Sequence, residues 1–124
     1  MPVPADIDFT DFAASIGTIA NFAPGDIIFR AGDTANFMYV VLHGSVEIIV
    51  KNDVLEQIGP GKAIGILSLV DGKSRSADAR ACEATKLSLI DQKKFRYMVE
   101  EMPHFCWYVM NELAHRLRAT NAAL

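Results

Sequence analysis

Hydrophobic and polar positions divide the chain into a short helical start, a long middle of strand-sized pieces and a helical end. Phe9, Phe12, Ala13 and Ile16 fall at spacings of three, four and seven and predict a helix near residues 9–18, with Thr10 or Asp8 as its cap. Pro24-Gly25-Asp26 and Ala31-Gly32-Asp33-Thr34 read as turns on either side of a short strand, Ile27–Phe29. Phe37–Leu42 is a continuous apolar run between turn residues, which predicts a strand buried on both faces. Val46, Ile48 and Val50 alternate with Glu47, Ile49 and Lys51, the pattern of a half-buried strand. Asn52-Asp53 predicts a tight hairpin into Val54–Ile58, and Gly59-Pro60-Gly61 ends that strand. Ser76–Ala81 and Lys86–Ile90 are two more strands around a turn at Glu83-Ala84. Phe95, Met98, Val99 and Met102 then restore helical spacing, with Asp91 as the expected cap. Pro103 breaks that helix and opens another, so helices are predicted near 91–101 and 103–120.

About eight short strands between Gly-rich turns, with helices only at the ends, predict a mainly β fold: a jelly-roll-like double-sheet β-roll. The expected organisation is one domain over 1–124, with an N-terminal helical cap at 1–20, the roll at 21–90 and the C-terminal helices at 91–124. A chain of 124 residues is long enough to bury a core without staples. A net charge of −3 gives no global attraction to nucleic acid or anionic lipid. No apolar run is long enough for a membrane helix. Cys82 and Cys106 lack metal-ligand spacing and read as packed, reduced thiols, consistent with a cytoplasmic setting. His43, His104 and His115 are scattered, so no metal site is expected. Nothing resembles a nucleophile–base pair or a carboxylate pair, so no catalytic residue and no enzyme activity is expected.

The chemistry concentrates in Ile64–Ala79, IGILSLVDGKSRSADA. Gly65 precedes an apolar stretch, Ile66–Val70, of one or two helical turns, and Ser74-Arg75-Ser76 follows. A helix start offers free N–H groups, and arginine offers a fork of donors that matches a phosphate. Taken alone, the same residues fit an arginine in a surface loop. Ser76 equally fits a hydroxyl that caps the next strand. Asp78 and Arg80 read as strand residues that face solvent or pair across the sheet.

This segment resembles the phosphate-binding cassette, here residues 64–79, of the cyclic-nucleotide-binding domain family. The resemblance extends through Pro24–Phe29, Gly32-Asp33, Met38–Val41, Gly44–Val46, Ile58–Gly61 and Arg75–Ala77. Lys93–Arg96 and Arg116–Arg118 are similar to the bacterial branch of catabolite activators and nitrogen-fixation regulators, here as a stand-alone domain without the DNA-binding module. The resemblance implies a roll with an N-terminal helix and two C-terminal helices, and a cyclic phosphate held at the cassette. Carried over by position, Gly65 and Leu67 give backbone contacts, with Ile66 between them. Arg75 pairs with the phosphate and Ser76 donates to it. Arg116, Thr120 and Asn121 lie on the last helix on the ligand side.

Three positions depart from the family pattern. The acid that accepts from the ribose hydroxyl is Ile66, the usual Pro is Ser74, and the usual Phe before the glycine is Ile64. Two functions follow as expectations. One is a sensor for a cyclic nucleotide, cAMP or cGMP, or a related anionic small molecule, with affinity weakened by Ile66 and no other cofactor. The other is a degenerate roll that dimerises or docks on an effector protein without nucleotide. Six successive apolar residues, Phe105–Met110, and the stripe Cys106, Met110, Leu113, Leu117 and Leu124 predict a homodimer contact through the last helix. No direct contact with nucleic acid or membrane is expected.

Overall fold

A computed structural model describes the backbone of residues 9–122 and the side chains through Arg118. The described chain forms two compact units, 9–92 and 93–122. The first holds helix α1 (Thr10–Ile16), strands β1 (Thr18–Phe22), β2 (Ile27–Phe29), β3 (Phe37–His43), β4 (Val46–Val50), β5 (Asp53–Ile58) and β6 (Ala63–Ile64), helix α2 (Ile66–Asp71), and strands β7 (Asp78–Ala81) and β8 (Thr85–Asp91). These strands make two four-stranded antiparallel sheets, ordered β1-β8-β3-β6 and β2-β7-β4-β5. The predicted double-sheet roll is the observed fold.

One continuous core joins the two sheets. Tyr39, Val41, Ile64 and Leu87 come from one sheet, and Phe29, Val46, Ile48 and Ala79 from the other. Burying side chains of this size contributes roughly 1.5–3 kcal/mol each. β3 is buried on both faces, as its unbroken apolar run predicts: Tyr39 and Val41 enter the core, while Met38 and Val40 are buried on the opposite face. α1 packs against β3 and β8. Ser88, which alternates with core residue Leu87, donates its hydroxyl to the carbonyl of Ala13 at 2.6 Å. Gly17 makes that approach possible, because a Cβ there would run into Ser88 Oγ and lie 2.9 Å from the Leu89 carbonyl.

Several local expectations are corrected. Thr10 does not cap α1: Phe9 holds the cap position with no side-chain cap bond and Thr10 is already helical, while the other expected cap, Asp8, lies outside the described residues. The hairpin turn is Lys51-Asn52, one residue earlier than Asn52-Asp53. Both turn residues have positive φ, 52° and 70°, as this two-residue loop requires, and Val50 pairs with Asp53 across it. The strict alternation expected in β4 fails at Ile49, which is buried like Ile48. Pairing with β5 shifts between these residues and leaves Leu55 as the extra residue of a bulge, which breaks the period of two. Two strands, β1 and β6, were not expected. The cross-strand reading of Arg80 holds: it faces Glu47 in the register and pairs with it at 2.6 Å. This pair pulls the Glu47 carboxyl below its ordinary range, chiefly through the Arg80 hydrogen bond. Asp78 accepts from the Ala31 N–H at 2.7 Å.

The second unit holds α3 (Gln92–Glu101), which enters from the first unit, and α4 (Pro103–Ala122). Pro103 opens α4, as expected. Phe95 meets Phe105 edge-on at 5.9 Å, and Phe105 stacks on Tyr108 at 6.1 Å. The predicted seam divides in the structure. Phe105, Tyr108 and Val109 are buried, so Phe105 and Val109 add no free apolar surface. Cys106 and Leu113 are half-buried, and Trp107, Met110 and Leu117 are exposed. Leu124 lies outside the described residues. Both cysteines are free thiols, and burial pushes the Cys82 thiol up. Among the described residues no helix is long and apolar enough to cross a membrane.

Candidate functional site

Gly65 turns the chain from β6 into α2. Its φ of +79° is a left-handed conformation that suits glycine, and it occupies the N-cap position of α2. Space requires glycine as well, because a Cβ there would sit 2.5 Å from Nη1 of Arg75. α2 then presents two kinds of surface. Ile66, Ser68 and Leu69 are buried, while Leu67 and Val70 are exposed. Gly72 closes α2 in another left-handed turn, with its N–H bonded to the Ser68 carbonyl at 2.9 Å.

The return loop sets Arg75 from both sides. Its backbone N–H donates to the Asp33 carbonyl at 2.9 Å, and its carbonyl accepts from the Gly32 N–H at 2.8 Å. The side chain runs inward and is only 4% exposed. Nη1 donates to the Gly65 carbonyl at 2.8 Å, and Nη2 donates to the Phe37 carbonyl. The guanidinium lies 4.2 Å above the centre of the Phe29 ring and 5.7 Å from that of Tyr39. Burial pulls Arg75 below its usual range, with Tyr39 and Asp33 opposing the shift; a guanidinium keeps its charge in a protein. Burial likewise raises the Tyr39 phenol, with Arg75 opposing the shift.

Gly65, Ile66, Leu67, Arg75 and Ser76 therefore belong to one unit, and Arg75 touches the glycine directly. Ile66 is 7% exposed and Ser76 is exposed. Arg116 is half-buried on α4, in the other unit. Thr120 and Asn121 lie within α4 by backbone, and their side chains are outside the described residues. Sequence reasoning missed Phe29, Phe37, Tyr39 and Asp33, which surround Arg75 from β2, β3 and the turn between them. Their distance along the chain hides them: 38 residues separate Arg75 from Phe37. Among the described residues no cluster of three or more His, Cys, Asp or Glu side chains has the arrangement a metal ion needs.

This arrangement, a left-handed glycine opening a short helix and a buried arginine on its carbonyl, occurs in a chain with marked similarity to known proteins. The sequence profile of the cyclic nucleotide-binding domain matches residues 19–102. The cAMP-activated global transcriptional regulator CRP of Salmonella typhimurium is 30% identical over 100 residues, covering 76% of this chain and 48% of the relative. The crystal structure of Thermus thermophilus catabolite activator protein superposes with a TM-score of 0.81 at 29% identity, over 91% of this chain and 55% of that one. The cAMP-bound form of the EAL enzyme Bd1971 gives 0.66 at 26% identity, over 86% of this chain and 29% of that one. The chain thus spans about half the length of the curated relatives it matches. With the profile matched over residues 19–102, the chain belongs to the cyclic nucleotide-binding domain family.

Proposed function

We propose that the chain is a regulatory binding module that holds a cyclic nucleotide through its phosphate at Gly65–Leu67, Arg75 and Ser76. The observation that carries this reading is the Arg75 guanidinium, buried and charged, seated 2.8 Å from the carbonyl of the glycine that opens α2. A guanidinium fork suits a phosphate better than a single ammonium does. The relative from Salmonella typhimurium is a cAMP-activated regulator by name, and the Bd1971 structure contains cAMP. Ile66 supplies no acceptor for a ribose hydroxyl, so affinity is weakened. Titration with cAMP and with cGMP, followed by calorimetry and thermal unfolding, tests the reading. Ligand at one hundred times its dissociation constant stabilises the folded state by about 2.7 kcal/mol, a shift of several degrees in the melting temperature. No heat and no shift with either nucleotide at millimolar concentration favours the second reading.

That second reading is a roll retained for assembly on another protein without nucleotide. Buried Ile66 favours it, because its side chain offers a ribose hydroxyl no acceptor. Either reading accommodates a homodimer through α4, where Trp107, Met110 and Leu117 leave apolar surface in water. Leu117 is 62% exposed, so Leu117→Asp leaves the fold intact and weakens the contact. Sedimentation equilibrium at tens of micromolar should show a dimer for the parent and a shift toward monomer for Leu117→Asp. A monomeric parent would remove the dimer from both readings.

A further inference from the structure

We propose that β1 is a pairing edge for a second copy of this chain, joining two rolls antiparallel through Thr18–Phe22. The proposal stands apart from the nucleotide reading and from the α4 contact. Each sheet has two outer strands: β1 and β6 in one, β2 and β5 in the other. An outer strand turns half of its N–H and C=O groups away from its neighbour, and folded proteins blunt such edges with short strands, bulges, prolines or charges. Three of the four edges are blunted in this way. β6 is two residues long. β2 is three residues long, and its register with β7 shifts between Ile27 and Phe29. β5 carries the bulge at Leu55 and the acids Asp53 and Glu56. β1 has none of these devices. Its five residues keep an unbroken register with β8 from Thr18 to Phe22. It contains no proline and no charge, and the nearest charged residues along the chain are Asp11 and Asp26. Among the described residues β1 pairs with β8 and with no other strand. Thr18 and Asn21 are exposed, and Ile19 is 42% exposed.

The occupant follows from the sequence of the edge. Residues directly opposite in an antiparallel pair lie on one face. Two β1 strands related by a two-fold axis therefore put the half-buried Ala20 and Phe22 on one face and the exposed Ile19 and Asn21 on the other. The core side of one roll then continues into that of its copy. Self-pairing sets each charge of a strand near its own image, which is unfavourable, and Thr18–Phe22 has no charge to oppose in any register. The same neutrality gives an acidic or basic peptide nothing to hold. The partner strand also covers part of Ile19. A five-residue edge buries far less than the roughly 1,200–2,000 Å² of a standard interface, so the dissociation constant is on the order of 0.1–1 mM.

The test uses the full chain carrying Leu117→Asp, which suppresses association through α4. Sedimentation equilibrium from about 0.05 to 1 mM should show monomer and dimer in exchange. Ile19→Lys together with Asn21→Lys sets lysines against lysines on the exposed face and should weaken the dimer at least about tenfold. The corresponding Ile19→Glu, Asn21→Glu protein should be as weak on its own. An equimolar mixture of the two should recover a dimer at least as tight as that of the unaltered edge. A protein that stays monomeric at about 1 mM with β1 unaltered overturns the proposal. So does a dimer that the lysines leave intact, or a mixture that stays monomeric. Amide exchange of the Leu117→Asp chain decides if the charged variants do not fold. Outward-facing β1 amides should exchange at least about twofold more slowly at the top of that concentration range than at the bottom. Exchange that does not change with concentration overturns the pairing.

Discussion

Arg75→Ala should lower the unfolding free energy by about 2–5 kcal/mol even when no ligand is present. The hydrogen bonds from Arg75 to the Gly65 and Phe37 carbonyls are both lost, each worth about 0.5–1.5 kcal/mol net. Loss of the cation–π contact with Phe29 adds about 0.5–2 kcal/mol to that cost. Against a typical domain stability of roughly 5–15 kcal/mol, this is a large fraction. Urea denaturation should show a lower midpoint with an unchanged slope, because the surface exposed on unfolding barely changes. Cyclic-nucleotide binding should disappear in the same variant, since the phosphate loses its charged donor. Arg75→Lys separates the two effects. It keeps the charge and part of the anion attraction but supports only one of the two carbonyls. An Arg75→Ala protein within about 0.5 kcal/mol of the parent would place it among ordinary surface substitutions and show that the carbonyl bonds carry no net stability.

The setting of Arg75 marks the boundary of what was legible in the sequence. The strands between glycine turns were readable because Gly25, Gly32 and Gly44 all adopt positive φ, which the sequence advertises by residue type. β3 was readable because a strand covered on both faces is apolar throughout. β6 was not, because two residues carry no period and its pairing with Tyr39 and Val40 is a tertiary fact. β1 escaped for a related reason: only Ala20 and Phe22 of its five residues are even half-buried, so no alternating core pattern is printed on it. The candidate site followed the same division. Gly65, Ile66 and Arg75 could be chosen from local order and family resemblance. The aromatic bed beneath Arg75 could not, because Phe29 and Tyr39 reach it only through the packing of two sheets. On α4 the periodicity found an apolar helix with Met110 and Leu117 on an exposed face, but not which of the six successive apolar residues are buried. Six apolar residues in a row leave no polar position to mark the outside, and burial fell on Phe105, Tyr108 and Val109.

Ile66→Glu should tighten cAMP binding by about ten- to a hundredfold, which corresponds to the roughly 1.5–3 kcal/mol of a hydrogen bond to a charged acceptor. Ile66 is the first residue of α2 and follows the carbonyl that Arg75 holds. At this position the family resemblance implies an acid that accepts from the ribose hydroxyl, and isoleucine offers that hydroxyl nothing. A carboxylate here also gains about 0.3–1 kcal/mol from the helix start. The opposing cost falls on the ligand-free protein. Ile66 is buried, so an ionised side chain in its place loses water and packing, and the unliganded variant should be about 1–3 kcal/mol less stable than the parent. The nearby Arg75 offsets part of this cost by drawing the carboxylate toward its guanidinium. The decisive comparison uses cAMP and its 2′-deoxy analogue against both proteins. In the parent the two ligands should bind alike, within about twofold, because no acceptor reads the hydroxyl. In Ile66→Glu only cAMP gains, so a gap of about tenfold or more should open between them. Equal binding of the two ligands by the folded variant would mean that the ribose does not lie against α2. The nucleotide pose carried over from the family would then be wrong for this chain.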